Sequence, residues 1–310
     1  MRTLIQRLVT TFTLVLMLTG VQCFIPAAAE WDENYGLENL SGERAAYANR
    51  LLTFMSEMDT KYFDRVKMLN GDLEIETRIV SNEFGDRHVD VTRGPVVEKI
   101  GRSISITKKR KREFQSETVW SRRYAFDIHP ETPLVGFLHA VLNFHYDVDG
   151  TSAVGGFLGI LPAATSEEDL AALKQTMDEM YEQYDIDSIY HRKLLCEGHD
   201  DDDPLATNNR YRRRPACVGG SFFSTPEKPM MTVTENNFSF MLESFDRFVD
   251  AYMNLIELRK DDAYTAEDIA AQDAMRRNWL EDQLFSDPYS TNVTAYEGWS
   301  FSNLPPDVKF

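Results

Sequence analysis

The sequence is short of positive charge. Its 310 residues include 33 lysines and arginines against 50 aspartates and glutamates, and the formal net charge at pH 7 is −17. Because binding to nucleic acid needs a basic surface that faces the phosphates, we expect no nucleic-acid partner. The basic run at residues 108–112 is more typical of a solvated loop tip, although a processing site or a patch for an acidic ligand stays open.

Cysteine is also scarce, with three residues in the chain. The cysteines show neither a Cys-x-x-Cys spacing nor a cysteine–histidine spacing that would favour a metal site. We therefore predict no bound metal. Cys23 lies in an N-terminal segment that we expect to be removed, which leaves Cys196 and Cys217. In an oxidising compartment these two are expected to form a disulfide, and closing a loop of about 20 residues would contribute roughly 3 kcal/mol.

Long apolar runs are missing after the N-terminus, and no later segment approaches the roughly 20 apolar residues that span a bilayer. At the N-terminus, Arg2 and Arg7 precede an apolar stretch at residues 8–25, and the alanines of residues 27–29 offer a cleavage site. We therefore expect a signal peptide over residues 1–29, export through a secretory pathway or to a periplasm, and no membrane insertion. Removal of both arginines would change the formal charge from −17 to −19.

The rest of the chain, residues 30–310, is predicted to form one domain of mixed α and β structure, since no repeat or linker interrupts it. Apolar residues recur every three or four positions at residues 42–70 and 238–259, which predicts two long amphipathic helices. Capping boxes begin two further predicted helices, at residues 166–184 and 265–285.

Strands are predicted where polar and apolar residues alternate. Residues 72–80 and 95–107 are expected to be strands, with loops between and after them. The glycine-rich segment 155–162 lacks the Gly-Lys-Ser/Thr ending of a phosphate loop, and we expect a strand with a closely packed backbone. Residues 122–150 are predicted to form two strands joined by a proline-containing turn, and they hold three of the six histidines.

This predicted hairpin has one apolar and one polar face. In its second strand, alternation puts His139, Asn143 and His145 on the polar face. In its first strand, His129 shares a face with Asp127. A functional site could lie on such a face, although a lone histidine in a strand is more often a hydrogen-bonded packing residue. The apolar face of the second strand comprises Leu138, Ala140, Leu142, Phe144, Tyr146 and Val148.

Several motifs share their order and spacing with one known family. Ile128-His129-Pro130 is followed, ten residues after the first histidine, by His139-Ala140. Val-Gly-Gly-Ser-Phe-Phe begins at residue 218, and Ala-Tyr-Met-Asn-Leu-Ile-Glu-Leu-Arg-Lys occupies residues 251–260. Later motifs are Arg276-Arg277 and Leu304-Pro305-Pro306. Over residues 94–308 the chain resembles the oxygen-dependent coproporphyrinogen III oxidase family, which has Ile-His-Pro, Thr-His-Ala-Asn-Val-Arg-Phe, Gly-Val-Gly-Gly-Ile-Phe-Phe and Ala-Tyr-Leu-Pro-Ile-Ile-Glu-Arg-Arg-Lys in this order.

The resemblance implies an α+β fold with a large, flat antiparallel sheet covered by helices on both faces, assembled as a homodimer. It implies oxidative decarboxylation of a porphyrinogen or a related carboxylated tetrapyrrole, with molecular oxygen as co-substrate and no cofactor. His139 and His129 are then the expected catalytic residues, with His139 transferring protons. Asn143 and Arg212 are the expected substrate-binding residues.

Some positions differ from the family pattern. Val141 and Asn143 stand where the family has asparagine and arginine, and Gly159 stands where it has aspartate. Three functions therefore stay open. We favour an oxidase acting on a carboxylated tetrapyrrole. The alternatives are a secreted, non-catalytic tetrapyrrole- or haem-binding protein with His139 or His145 as axial ligand, and a pseudoenzyme or interaction protein on the same scaffold.

Overall fold

The structure is a computed structural model that describes residues 31–109, 117–197, 214–224, 228–285 and 296–309. Its centre is one sheet of seven strands, in which each strand pairs antiparallel with the next strand along the chain. The strands are β1 (Glu76–Asn82), β2 (Gly85–Thr92), β3 (Val97–Thr107), β4 (Thr118–Pro130), β5 (Phe137–Asp147), β6 (Ser152–Leu161) and β7 (Gly220–Ser221).

Helices cover both faces of this sheet. On the apolar face, Tyr62 of the first helix and Phe245 of the fourth contact Phe126 of β4. On the other face, Trp279 of the fifth helix contacts Phe137 of β5. The α+β fold with helices on both faces of an antiparallel sheet is therefore confirmed. The helices are α1 (Gly42–Asn70), α2 (Glu167–Tyr184), α3 (Ser188–Arg192), α4 (Glu235–Arg259), α5 (Ala266–Phe285) and α6 (Tyr296–Asn303).

Local sequence signals explain where the long helices begin and end. α1 ends at Asn70 because Gly71, with φ of 84°, adopts the left-handed conformation that stops a helix. The Ser166 hydroxyl accepts a hydrogen bond from the backbone N–H of Asp169, which caps α2. Thr265 caps α5 in the same way. The four long helices predicted from periodicity and capping are thus confirmed.

Two predictions about the strands were wrong. Residues 85–92 were expected to be a loop but form β2. This strand is rich in charged residues, and they are buried through pairing: Asp90, for example, accepts hydrogen bonds from Thr77 and Arg102. Val148, expected on the apolar face, is 67% exposed because β5 ends at Asp147 and the chain turns there.

Cys196 and Cys217 form the expected disulfide, which joins positions 21 residues apart. The acidic and basic runs between these cysteines lie outside the described residues. In the part of the chain that the structure describes, no helix combines the length and the apolar character needed to cross a bilayer.

Two rows of polar residues cross the face of the sheet under α5 and α6, which we call the polar face. Register places Asp127 of β4 directly opposite His139 of β5. Four residues back along β4, Arg123 lies opposite Asn143 of β5. That second row extends through Ser105 of β3 to Arg87 of β2. We call this set, Arg87, Ser105, Arg123 and Asn143, the arginine row.

Candidate functional site

A close polar contact on the polar face joins His139 and Asp127. Nδ1 of His139 lies 2.6 Å from Oδ1 of Asp127. Because an ionised carboxylate can only accept a hydrogen bond, Nδ1 of the neutral imidazole carries the proton and Nε2 carries the lone pair. The His139 side chain is 13% exposed and that of Asp127 is 2% exposed. The pair therefore presents a proton acceptor of fixed tautomer in a mostly buried setting.

Asn303 hydrogen-bonds to the second oxygen of the Asp127 carboxylate. Its Nδ2 donates to Oδ2 of Asp127 at 3.0 Å, and Asn303 is the last residue of α6. The Asn303 backbone carbonyl accepts a hydrogen bond from Nε1 of Trp279 at 3.1 Å. Both carboxylate oxygens thus have a donor, so the orientation of Asp127, and through it that of His139, is fixed from two helices.

Aromatic rings surround the His139 imidazole. The ring centroids of Phe157 and Trp279 lie 5.3 and 5.4 Å from it, and that of Phe137 lies 6.4 Å away. The Phe157 ring also fills the space beside Gly159, where a Cβ atom would lie only 2.6 Å from Cε1 of that ring. A single polar nitrogen among aromatic walls is typical of sites that bind flat organic ligands.

His129 occupies a different environment. It is 1% exposed, and its ring stacks on Phe137 with 4.3 Å between centroids. Neither ring nitrogen makes a hydrogen bond of normal geometry with a described residue. Burial, together with the charges of Lys99 and Arg276, holds the pKa of His129 well below its usual value, and the nearby Asn303 backbone acts only weakly in the other direction. The imidazole is therefore neutral at pH 7, and its predicted catalytic role stays a prediction.

Asn143 lies on β5, four residues after His139. It is partly buried, and its Nδ2 points to Sδ of Met230 at 3.9 Å. In the same row, Nε of Arg87 donates to Oγ of Ser105 at 3.1 Å. Burial and the neighbouring charge of Arg123 lower the pKa of Arg87 to about 9. The predicted binding residue Asn143 therefore lies directly opposite one cationic residue, Arg123.

The structure brings three of the four predicted site residues onto one face. His129, His139 and Asn143 share the polar face, whereas Arg212 lies outside the described residues. The role predicted for Arg212 stays a prediction. His145 lies further along β5, with Nε2 3.6 Å from a carboxylate oxygen of Asp147. Among the described residues, no three metal-ligating side chains converge.

Sequence reasoning placed Asp127 on the right face but did not assign it to the site. The register of the hairpin was the available signal, since a turn over residues 131–136 pairs position 127 with position 139. Arg123 follows from the same alternation, four residues earlier on β4. Arg87 was missed because β2 was not predicted, and no local pattern marks Asn303.

Comparison with known proteins identifies the family. The family model described as coproporphyrinogen III oxidase matches residues 39–292 of this chain, which include every strand of the sheet.

The chain belongs to the coproporphyrinogen III oxidase family.

Two curated relatives carry the family name. The protein named oxygen-dependent coproporphyrinogen-III oxidase, mitochondrial, of Mus musculus is 27% identical over 166 residues, which is 52% of this chain and 35% of the relative. The protein of the same name from Rattus norvegicus is 26% identical over 216 residues, which is 63% of this chain and 46% of the relative. The chain thus spans less than half the length of each.

Within the coproporphyrinogen III oxidase match lie Asp127, His139 and both arginines of the arginine row. Asn303, which holds Asp127, lies beyond the matched residues. One of the hydrogen bonds that orient the Asp127 carboxylate therefore comes from a segment that the family model does not cover.

Proposed function

We propose that the protein is an oxygen-dependent oxidase that converts a propionate side chain of a reduced, carboxylated tetrapyrrole into a vinyl group. The observation that carries the proposal is the hydrogen-bonded Asp127–His139 pair on the polar face of a coproporphyrinogen III oxidase family sheet. The names of the two curated relatives support the same reaction class.

The proposed reaction balances with molecular oxygen as the only oxidant. The propionate loses a hydride equivalent from the carbon next to the ring, and the bond to its carboxyl carbon breaks. The electron pair of that bond forms the vinyl double bond as carbon dioxide leaves. Oxygen takes the two electrons of the hydride and, with one further proton, becomes hydrogen peroxide.

His139 is the residue proposed to move protons in this reaction. Its Nε2 can accept a pyrrole N–H proton, because Asp127 keeps the other ring proton on Nδ1. The carboxylate also stabilises the imidazolium that forms when Nε2 is protonated. The rings of Phe157 and Trp279 limit the access of water to the imidazole. Positioned proton transfer of this kind typically contributes about 10²- to 10⁴-fold in rate.

A turnover assay tests the proposal. The protein is incubated with coproporphyrinogen III without oxygen, oxygen is admitted, and vinyl products are quantified by chromatography. We expect product from the wild-type protein, and a rate about 10²- to 10⁴-fold lower for His139→Ala. His145→Ala, on the same strand and face, is the matched control and should keep the wild-type rate. A folded wild-type protein that forms no vinyl product would contradict the proposal.

The second candidate function is non-catalytic binding of haem or another tetrapyrrole. It is favoured by one observation: a carboxylate on Nδ1 of a histidine is the arrangement that orients metal-ligating imidazoles, so Nε2 of His139 would be the atom that holds the metal of such a ligand. Haem titration should then shift the Soret band, and His139→Ala should abolish the shift. A wild-type spectrum identical to that of free haem would exclude this candidate.

We also propose that the protein acts outside reducing compartments. The Cys196–Cys217 disulfide supports this, because such bonds persist mainly in oxidising surroundings. Thiol titration of the protein isolated from its natural source should find neither cysteine reactive before reduction. Two reactive thiols in the freshly isolated, unfolded protein would contradict the proposal.

A further inference from the structure

We propose that Phe157 determines which ligands reach His139, because its ring is the surface on which a flat ring lies when it meets Nε2 of the imidazole. Gly159 provides the space for the Phe157 ring. The inference deepens the proposed function and rests on it for the class of ligand, a tetrapyrrole. One ring of that ligand would stack on Phe157.

Exposure distinguishes Phe157 from the other two rings near His139. Phe137 is completely buried and Trp279 is 2% exposed, so neither ring is accessible to a ligand. Phe157 is partly exposed, although its neighbours on both sides in β6 are buried. The His139 side chain also retains some exposure. Of the three rings described around the imidazole, Phe157 is therefore the one that a ligand can touch.

The contact with Asp127 directs Nε2 of His139 towards this accessible side. The β5 strand lies between β4 and β6, and Nδ1 points to Asp127 of β4. The two ring nitrogens point in different directions, so Nε2 faces away from β4. On the β6 side, Gly159 lies directly opposite His139. The planes of the imidazole and the Phe157 ring differ by 49°. Because the two rings are tilted rather than stacked, the imidazole does not cover the face of Phe157.

The position of the Phe157 ring depends on the glycine two residues later. A Cβ atom at Gly159 would lie 2.6 Å from Cε1 and 2.9 Å from Cζ of Phe157, and 3.2 Å from Cδ1 of Leu195. Leu195 is buried and precedes Cys196, which the disulfide joins to Cys217. The ring therefore lies against a glycine with a buried leucine beside it. A surface that is formed in advance loses little conformational freedom when a ligand binds.

Binding of coproporphyrin III tests the inference. This flat, oxidised tetrapyrrole is not a substrate for oxidation, and its Kd is measured by fluorescence titration. Phe157→Leu keeps an apolar side chain but removes the aromatic face, and we expect Kd to rise about 2- to 10-fold, the effect of one aromatic pair. Phe157→Tyr keeps the ring and should retain the wild-type Kd. Phe54→Leu, at a partly buried phenylalanine of α1 on the apolar face, is the matched control and should also retain it.

Chemical modification of histidine locates the bound ligand. Diethyl pyrocarbonate modifies neutral imidazoles, and mass spectrometry measures the rate at each histidine. Without ligand, Phe157→Ala should increase the rate at His139 severalfold, because it removes the ring beside the imidazole. Saturating coproporphyrin III should protect His139 of the wild-type protein. His88 is similarly exposed and lies on the opposite face of the sheet, so its rate should not change in either experiment.

Gly159→Ala tests how the Phe157 ring is positioned. The added Cβ atom would displace the ring, and we expect Kd to rise as it does for Phe157→Leu. In a Phe157→Ala background the added methyl group no longer meets the ring, so Gly159→Ala should change Kd little further. Additive losses of affinity would overturn the role assigned to Gly159.

The outcomes distinguish this inference from the oxidase proposal. Folded Phe157→Leu protein with wild-type affinity overturns the inference, and so does wild-type protein in which coproporphyrin III fails to protect His139. If binding depends on Phe157 but coproporphyrinogen III is not turned over, the inference holds and the oxidase proposal fails.

If turnover occurs, Phe157→Leu should raise KM and leave kcat unchanged, because stacking acts alike on the ground state and the transition state. Turnover with an unchanged KM would overturn the inference and leave the oxidase proposal in place.

Discussion

Two histidines that the family resemblance treats alike have different physical environments. His139 has a carboxylate on Nδ1 and retains some exposure, so it can gain and lose a proton at Nε2. His129 is enclosed, stacks on Phe137, and has a strongly lowered pKa. We therefore assign proton transfer to His139 and positioning of its imidazole to Asp127.

The substitution Asp127→Asn tests that assignment. An amide can still contact the ring, but it no longer favours the tautomer with the proton on Nδ1 or stabilises the imidazolium. We expect turnover to fall about 10²- to 10⁴-fold, and ¹⁵N NMR of the His139 ring to show loss of the single tautomer. Asp147→Asn, which removes the carboxylate beside His145 on the same strand, is the control. Wild-type turnover by Asp127→Asn would remove Asp127 from the mechanism.

Lys99 predicts a pH dependence of stability. Burial and the charge of Arg93 lower the pKa of Lys99 to about 7, whereas a lysine of the unfolded chain has a pKa of about 10.4. Between these values the unfolded state binds a proton that the folded state does not. This residue therefore makes the free energy of unfolding rise with pH from about 7 towards 10, by at most about 1.4 kcal/mol per pH unit.

Urea unfolding of Lys99→Met at pH 7, 8 and 9 measures this contribution. The variant should be less stable overall, because it loses the hydrogen bond from Nζ to the Leu304 carbonyl, but its stability should change less with pH. Lys174→Met, at an exposed position of α2, should keep the wild-type slope. Equal slopes for all three proteins would show that Lys99 stays protonated in the folded state.

The α6 helix contributes a residue that contacts the site directly. Phe301 contacts the valines Val89 and Val91 of β2, and the Ser302 carbonyl lies against Gly101 of β3. This docking carries Asn303 to Asp127. A short C-terminal helix thus determines the orientation of a carboxylate that is 176 residues earlier in the chain.

Gly101→Ala tests the role of this helix. A Cβ atom at position 101 would lie 2.2 Å from the Ser302 carbonyl oxygen, so α6 must move away from β3. We expect a loss of about 1–3 kcal/mol in the free energy of unfolding and a lower turnover rate. If Gly101→Ala slows turnover through Asn303, then Asn303→Ala should slow turnover as well. The double variant Gly101→Ala/Asn303→Ala should then be no slower than the slower of the two single variants. Additive rate losses would show that α6 affects the site by another route.

Sequence patterns were informative about elements with strong local signals. The α1 and α4 helices follow from apolar spacing, and α2 and α5 from their caps. The β2 strand was missed because half of its buried side chains are charged, and only pairing with β1 and β3 makes that burial favourable. Contacts such as that of Asn303 with Asp127 join distant parts of the chain, and no local pattern encodes them.

At the scale of the whole molecule, the disulfide predicts a contribution to stability. Cys196 and Cys217 close a loop of 21 residues, and such a loop contributes roughly 3 kcal/mol in the chain-entropy model. Cys196→Ser/Cys217→Ser should therefore unfold at a lower urea concentration than the wild-type protein. Adding a reductant should lower the wild-type midpoint to that of the double variant. Equal midpoints without reductant would contradict the expected contribution.

More of the overall architecture than of the site chemistry could be predicted from the sequence. Motif order identified the family scaffold, and alternation placed His139 and Asn143 on one face of the sheet. The partners of these residues could not be read from the sequence, because they depend on strand register and on the docking of α6. The homodimer and the role of Arg212 stay predictions.

We propose that this family member oxidises a carboxylated porphyrinogen on its polar face, with His139 moving the proton. The most direct test measures oxygen consumption together with vinyl formation from coproporphyrinogen III, for the wild-type protein and His139→Ala. We expect one oxygen molecule to be consumed per vinyl group formed by the wild-type protein, and both signals to be lost in the variant. Oxygen uptake by folded wild-type protein no greater than that of the substrate alone would contradict it.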